Sequence, residues 1–138
     1  MDGMYQTMAL ALVMTVAAAC SGTSPRSPEG PEWTMRSMAT DGGLVEAISD
    51  VTPTLRLDGG RASGTAGCNR YTATYTLAGS GLSFGPIAAT KMFCAGDGVM
   101  EQEDRYLSLL STVDGWSIEQ GRLILDADGT PTLVFVEG

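Results

Sequence analysis

The chain has 138 residues, a formal net charge of −8 and no histidine. Without histidine there is no Ser-His-Asp or Cys-His catalysis and no His-ligated zinc, and 3 cysteines are too few for an all-thiolate zinc site. The 8 basic residues are scattered singly among 16 acidic ones, which leaves no electrostatic footprint for nucleic acid; no cofactor and no metal are predicted.

An apolar run extends from Met8 to Ala19. It is shorter than the ~20 residues that cross a bilayer as a helix, and matches the hydrophobic part of an export signal. It ends in Ala17-Ala18-Ala19-Cys20, which resembles a bacterial lipobox, where the cysteine is acylated and becomes the new N-terminus. Residues 1–19 are therefore read as a lipoprotein signal peptide. Cys20 is the lipidation site, and residues 20–31 form a flexible tether, because Ser21 to Pro31 (SGTSPRSPEGP) is too rich in Ser, Gly and Pro to pack a core. The predicted location is the cell envelope, with the domain held to a bacterial membrane by the lipid and facing the periplasm or the exterior.

One domain, residues 32–137, follows. Glu32 to Met38 and Gly43 to Ile48 read as strands about an Asp41-Gly42-Gly43 turn. Thr54 to Asp58 (TLRLD) alternates apolar and polar residues as a half-buried strand does, and Asp58-Gly59-Gly60 turns it into Arg61 to Ala66. Tyr71 to Leu77 (YTATYTL) is rich in β-branched and aromatic residues, and Gly79-Ser80-Gly81 leads on to Leu82-Ser83-Phe84. Asp97 to Val113 has helical spacing, with Met100, Tyr106, Leu107, Leu110 and Val113 as its buried stripe and Asp97 as its cap. Trp116 to Ile118 and Leu123 to Leu125 pair across Gln120-Gly121, and Asp126 to Gly129 turns into Thr132 to Val136. The predicted fold is mainly β (α+β): a small antiparallel β-barrel-like domain with one amphipathic helix.

Two stretches stand out, Gly67-Cys68-Asn69-Arg70-Tyr71 and Thr90-Lys91-Met92-Phe93-Cys94. The first resembles the GCN-plus-aromatic motif of the META domain (HslJ-like) family, the second its T-x-M-x-C motif. Trp33, Gly85-Pro86-Ile87-Ala88, Met100-x-x-Glu103, Tyr106-Leu107-x-x-Leu110 and Leu123-x-Leu125 follow the family's order. The resemblance covers about Glu32 to Val136. It implies a small barrel-like β fold with a helix, often on a bacterial lipoprotein, with links to heat shock, antibiotic tolerance and secretion or motility, and it implies no catalytic residue.

With Cys20 lipidated, Cys68 and Cys94 remain as an even pair. A disulfide is expected in an oxidising envelope; a reactive or metal-binding pair and two buried free thiols are the alternatives. Gly67 is expected to supply a positive-φ bend, and Asn69 to bond local backbone. Thr90 reads as a strand hydroxyl and Met92 as a core thioether. Asp126-x-Asp128-Gly129 resembles the start of a calcium loop, but Pro131 stands where such a loop has glycine, so a hairpin turn is expected. Glu103 falls nearest the inward face of the helix start and is expected to cap or to hydrogen-bond there. The predicted function is a non-catalytic, envelope-anchored binding or structural domain with an unidentified envelope protein as partner, in envelope stress or antibiotic tolerance. The alternatives are an inhibitor of an extracytoplasmic hydrolase such as lysozyme, and a lipocalin-like carrier of a small ligand.

Overall fold

The computed structural model describes residues 26–138; residues 1–19, read above as a signal peptide, and Cys20 lie outside the described residues. The elements in chain order are β1 Glu32–Thr40, β2 Gly43–Glu46, β3 Thr54–Asp58, β4 Arg61–Thr65, β5 Arg70–Ala78, β6 Gly81–Phe84, β7 Ala88–Ala89, α1 Val99–Leu110, β8 Gly115–Glu119, β9 Arg122–Ala127 and β10 Thr130–Glu137. The sheet runs β10-β9-β8-β6-β5-β4-β3-β1, and β1 pairs back onto β10, so the strands close into a ring. All pairings are antiparallel. β2 adds to the far end of β1, and β7 adds to β5.

Alternation decides which side chains enter the ring. β3 buries Leu55 and Leu57 and turns Arg56 and Asp58 to solvent; β5 buries Tyr71, Ala73 and Tyr75 and exposes Arg70, Thr72, Thr74 and Thr76. Register follows from short turns. At the β8–β9 hairpin Glu119 pairs with Arg122, and the two intervening residues, Gln120 and Gly121, have φ of 51° and 76°. A two-residue turn with both φ positive matches the twist of its strands, which is why a glycine is needed in it. Asp126 belongs to β9, and the next turn, at Asp128-Gly129, is the expected hairpin.

Trp33 is fully buried, and its indole N–H donates to the Pro28 carbonyl at 2.8 Å. Pro28 is itself buried, the Arg26 guanidinium lies 5.9 Å from the centre of the Trp33 ring, and Arg26 pairs with Glu137. The Gly30 N–H donates to the Leu57 carbonyl at 3.0 Å and the Tyr75 hydroxyl to Glu29 at 2.6 Å. Packing thus begins at Pro28, ahead of Glu32, where the sequence placed the start of the domain.

The helix lies over one end of the ring. Tyr106 reaches inward, its ring 5.6 Å from Tyr71 of β5 and 6.3 Å from Phe135 of β10, both edge to face. Leu110 and Val113 follow it into the core. The helix is shorter than expected, Val99–Leu110 rather than Asp97 to Val113. Gly98, with φ 76°, occupies its N-cap position, and no side chain caps it, so Asp97 does not have the predicted role. A left-handed glycine brings the chain out of the preceding loop at the angle the packed helix requires. Met100 is only half-buried; the buried face carries Val99, Gln102, Glu103, Tyr106 and Leu110.

Candidate functional site

The two cysteine motifs and the helix meet at the end of the ring that the helix covers. Cys68 and Cys94 form a disulfide across a separation of 26 residues, joining the β4–β5 loop to the loop after β7. That settles the three readings of the pair among the described residues.

Asn69 and Glu103 form the centre. Both are buried, Glu103 at 3% exposure. One carboxylate oxygen of Glu103 accepts the backbone N–H of Cys68 at 3.1 Å and of Asn69 at 2.6 Å; the other accepts Asn69 Nδ2 at 2.7 Å. Asn69 Oδ1 accepts the Thr90 hydroxyl at 2.9 Å and the Met92 N–H at 2.7 Å, and Nδ2 also donates to the Met92 carbonyl at 3.0 Å. The amide therefore uses both its donors and both acceptor positions. One side chain binds the helix on one side and the Thr90–Met92 backbone on the other. The bonds run across the fold, not to local backbone as the sequence suggested, because three chain segments converge on the Asn69 side chain.

Gly67 has φ 118°, as expected. A Cβ there would also lie 3.0 Å from the Val51 carbonyl oxygen, so side chains are excluded both by conformation and by space. Thr90 and Met92 differ from expectation. β7 ends at Ala89, and the Thr90 hydroxyl serves Asn69 rather than a strand. Met92 is 58% exposed and Phe93 82% exposed. Asn69 fixes the Met92 backbone on both its N–H and its C=O, which points the two side chains outward instead of into the core.

The helix contributes two further contacts that the motifs did not mark. Gln102 accepts the Ile48 N–H at 2.7 Å and donates to the Val51 carbonyl at 2.9 Å, pinning the β2–β3 loop. The Tyr71 hydroxyl donates to the Thr54 carbonyl at 2.7 Å and lies 2.6 Å from the Tyr106 hydroxyl, itself 3.2 Å from the same carbonyl. Burial raises the pKa of both phenols above its ordinary value; the Tyr71 bond to Tyr106 partly offsets this for Tyr71, and the neighbouring Tyr71 adds to it for Tyr106. Both therefore stay protonated as donors. A signal for Gln102 and Glu103 was present in the sequence. Val99, Gln102, Glu103, Tyr106 and Leu110 share one helical stripe, so two polar residues fall where burial is required, and buried polar groups need partners. Among the described residues every buried side-chain nitrogen and oxygen has one.

Residues 28–138 match the META domain. This chain belongs to the META domain family. A solved structure of similar fold is an NMR structure of a protein from Burkholderia xenovorans, 28% identical, with a TM-score of 0.68, covering 80% of this chain and 83% of that one. A second NMR structure, 20% identical, shares the fold with a TM-score of 0.61, covering 81% of this chain and 95% of the other. No curated protein matches. The motif residues of this META domain are thus the ones that join its loops to its helix.

Proposed function

We propose that this chain is an envelope lipoprotein anchored through Cys20, and that its META domain acts by binding or as a structural element, without catalysis, in envelope stress or antibiotic tolerance. The observation that carries the reading is the Asn69–Glu103 network. The acidic and amide side chains of the family motif have all their close partners inside the protein, so they support a scaffold and offer no free general base. The ring interior is filled by Trp33, Leu55, Leu57, Tyr71, Leu123 and Phe135, which favours this reading over a carrier with a ligand chamber.

The exposed Met92 and Phe93 favour a second reading, inhibition of an extracytoplasmic hydrolase. A rigidly presented aromatic side chain loses little freedom on entering a cleft, and the net charge of −8 suits a basic enzyme. Two measurements test the pair. Cys20→Ser should move the protein from the membrane to the soluble fraction; retention on the membrane would place the anchor elsewhere. Lysozyme turnover should be slowed by the protein, and by Phe93→Ala less, if the second reading is right; equal turnover with and without the protein leaves the first.

A further inference from the structure

We propose that Met92 is a site of reversible oxidation, a thioether that takes up one oxygen atom from a peroxide while the fold stays intact. The argument starts from the sulfur inventory. Met35 and Met38 of β1 are 2% and 6% exposed, and Met100 is half-buried on the helix. Cys68 and Cys94 are already joined, so neither presents a thiol to compete for oxidant. Met92, at 58% exposure, is the accessible reduced sulfur among the described residues.

Its surroundings also decide what oxidation does. Buried methionines become lesions when oxidised, because a polar sulfoxide cannot stay in an apolar core. The Met92 backbone is held by Asn69 at 2.7 Å and 3.0 Å, and the disulfide at Cys94 fixes the chain two residues on. None of these contacts involves the thioether. The side chain can therefore change polarity without loosening the loop that carries it. What changes is the surface: Met92 and the adjacent Phe93 form an exposed apolar pair, and the sulfoxide places a strong hydrogen-bond acceptor beside the aromatic ring.

The chemistry balances with a peroxide as the oxidant. A sulfur lone pair attacks one peroxide oxygen, the S–O bond forms as the O–O bond breaks, and the departing hydroxide takes up the remaining proton as water. Sulfur loses two electrons and the peroxide gains them. A methionine sulfoxide reductase with a thiol reductant reverses the step: the oxygen leaves as water while two thiols become a disulfide. The exposed backbone-fixed position leaves the sulfoxide open to such an enzyme.

The test is graded hydrogen peroxide on the full chain, followed by peptide mass mapping. Met92 should gain its oxygen on the order of tenfold faster than Met35 and Met38, in line with their exposures, and ahead of Met100. At the stage of one oxygen on Met92 the near-ultraviolet circular dichroism and the urea midpoint should match the untreated protein. A sulfoxide reductase with dithiothreitol should remove the oxygen. In Met92→Leu no residue from 26 to 138 should oxidise at the former Met92 rate. Equal rates at Met35, Met38 or Met100, a lowered midpoint at the one-oxygen stage, or a sulfoxide that resists the reductase would each overturn the proposal.

Discussion

Replacing Glu103 should damage this domain more than any other change at a charged position, and the size of the effect can be worked from its bonds. Glu103→Ala removes the acceptor for three N–H groups at once, those of Cys68, Asn69 and the Asn69 amide. A hydrogen bond to a charged group contributes ~1.5–3 kcal/mol, and a stranded buried donor costs ~1–3 kcal/mol. The three contributions do not simply add, because they share one acceptor and water can enter beside the half-exposed Cys68. A loss of about 3–5 kcal/mol is expected, a large part of the ~5–15 kcal/mol that stabilises a typical domain. Glu103→Gln separates shape from chemistry. It keeps one oxygen for the two backbone donors but turns an NH2 toward Asn69 Nδ2, so donor faces donor. Flipping the Asn69 amide would move the conflict to the Met92 N–H. The expected loss is about 2–3 kcal/mol. Asp104→Ala, on the exposed face of the same helix, should stay within about 0.5 kcal/mol of the parent. Urea unfolding followed by tryptophan fluorescence measures all three. A Glu103→Gln protein as stable as the parent would refute the assignment of Glu103 as the anchor of the loops.

The other predictions concern the elements around that anchor. Cys68→Ser with Cys94→Ser should lower stability by about 3–4 kcal/mol from the 26-residue separation alone; the domain should still fold, since Asn69 and Glu103 hold the same loops, and a loss of cooperative thermal unfolding would contradict this. Tyr71→Phe and Tyr106→Phe should each cost ~1 kcal/mol in urea, because the remaining phenol can still serve the Thr54 carbonyl, whereas the double variant leaves that carbonyl without either phenol and should cost more than the sum. Asp126 titrates above the ordinary carboxylate range, first through burial and then through Asp114 and Glu119. The folded state therefore holds this proton more tightly than the unfolded chain does. That contribution is fully present below the unfolded value and is lost as pH rises through the folded one. Asp126→Asn should thus raise the thermal midpoint at neutral pH and make no difference at a pH below the unfolded value; a gain that persists in acid would rule out the electrostatic cause.

Much of the ring could be read from the amino acids. The alternation in Thr54–Asp58 and Arg70–Ala78 is a local property that pleating alone converts into an inside and an outside, and Gln120-Gly121 announces its own turn. The helix was visible for the same reason, but its first residue was not: Asp97 has the chemistry of a cap, and the packing of the loop against the helix placed Gly98 there instead. Met92 shows the converse limit. Its apolar side chain argued for the core, yet its backbone bonds to Asn69 from a distant segment turn it outward. The pairing of Glu103 with Asn69 depends on two residues 34 positions apart in the chain returning to one point. Helical phase showed that Glu103 faces inward; only the assembled ring shows what it meets.

The pairing of β1 with β10 has a consequence for how the domain comes into being. Trp33 lies opposite Glu137 and Met38 opposite Leu133, so the ring acquires its last seam only when the final strand is present. Until then β1 carries an unpaired edge, and its Trp33 and Met35, buried in the finished ring, lack their partners on β10. Contacts this distant along the chain form slowly, because closing the intervening loop precedes any gain from it. A partly synthesised chain is therefore an open, sticky sheet, not a smaller version of the finished domain. A chain cut before β10 loses one strand and exposes two edges, β1 and β9, which makes it a candidate for strand-to-strand aggregation.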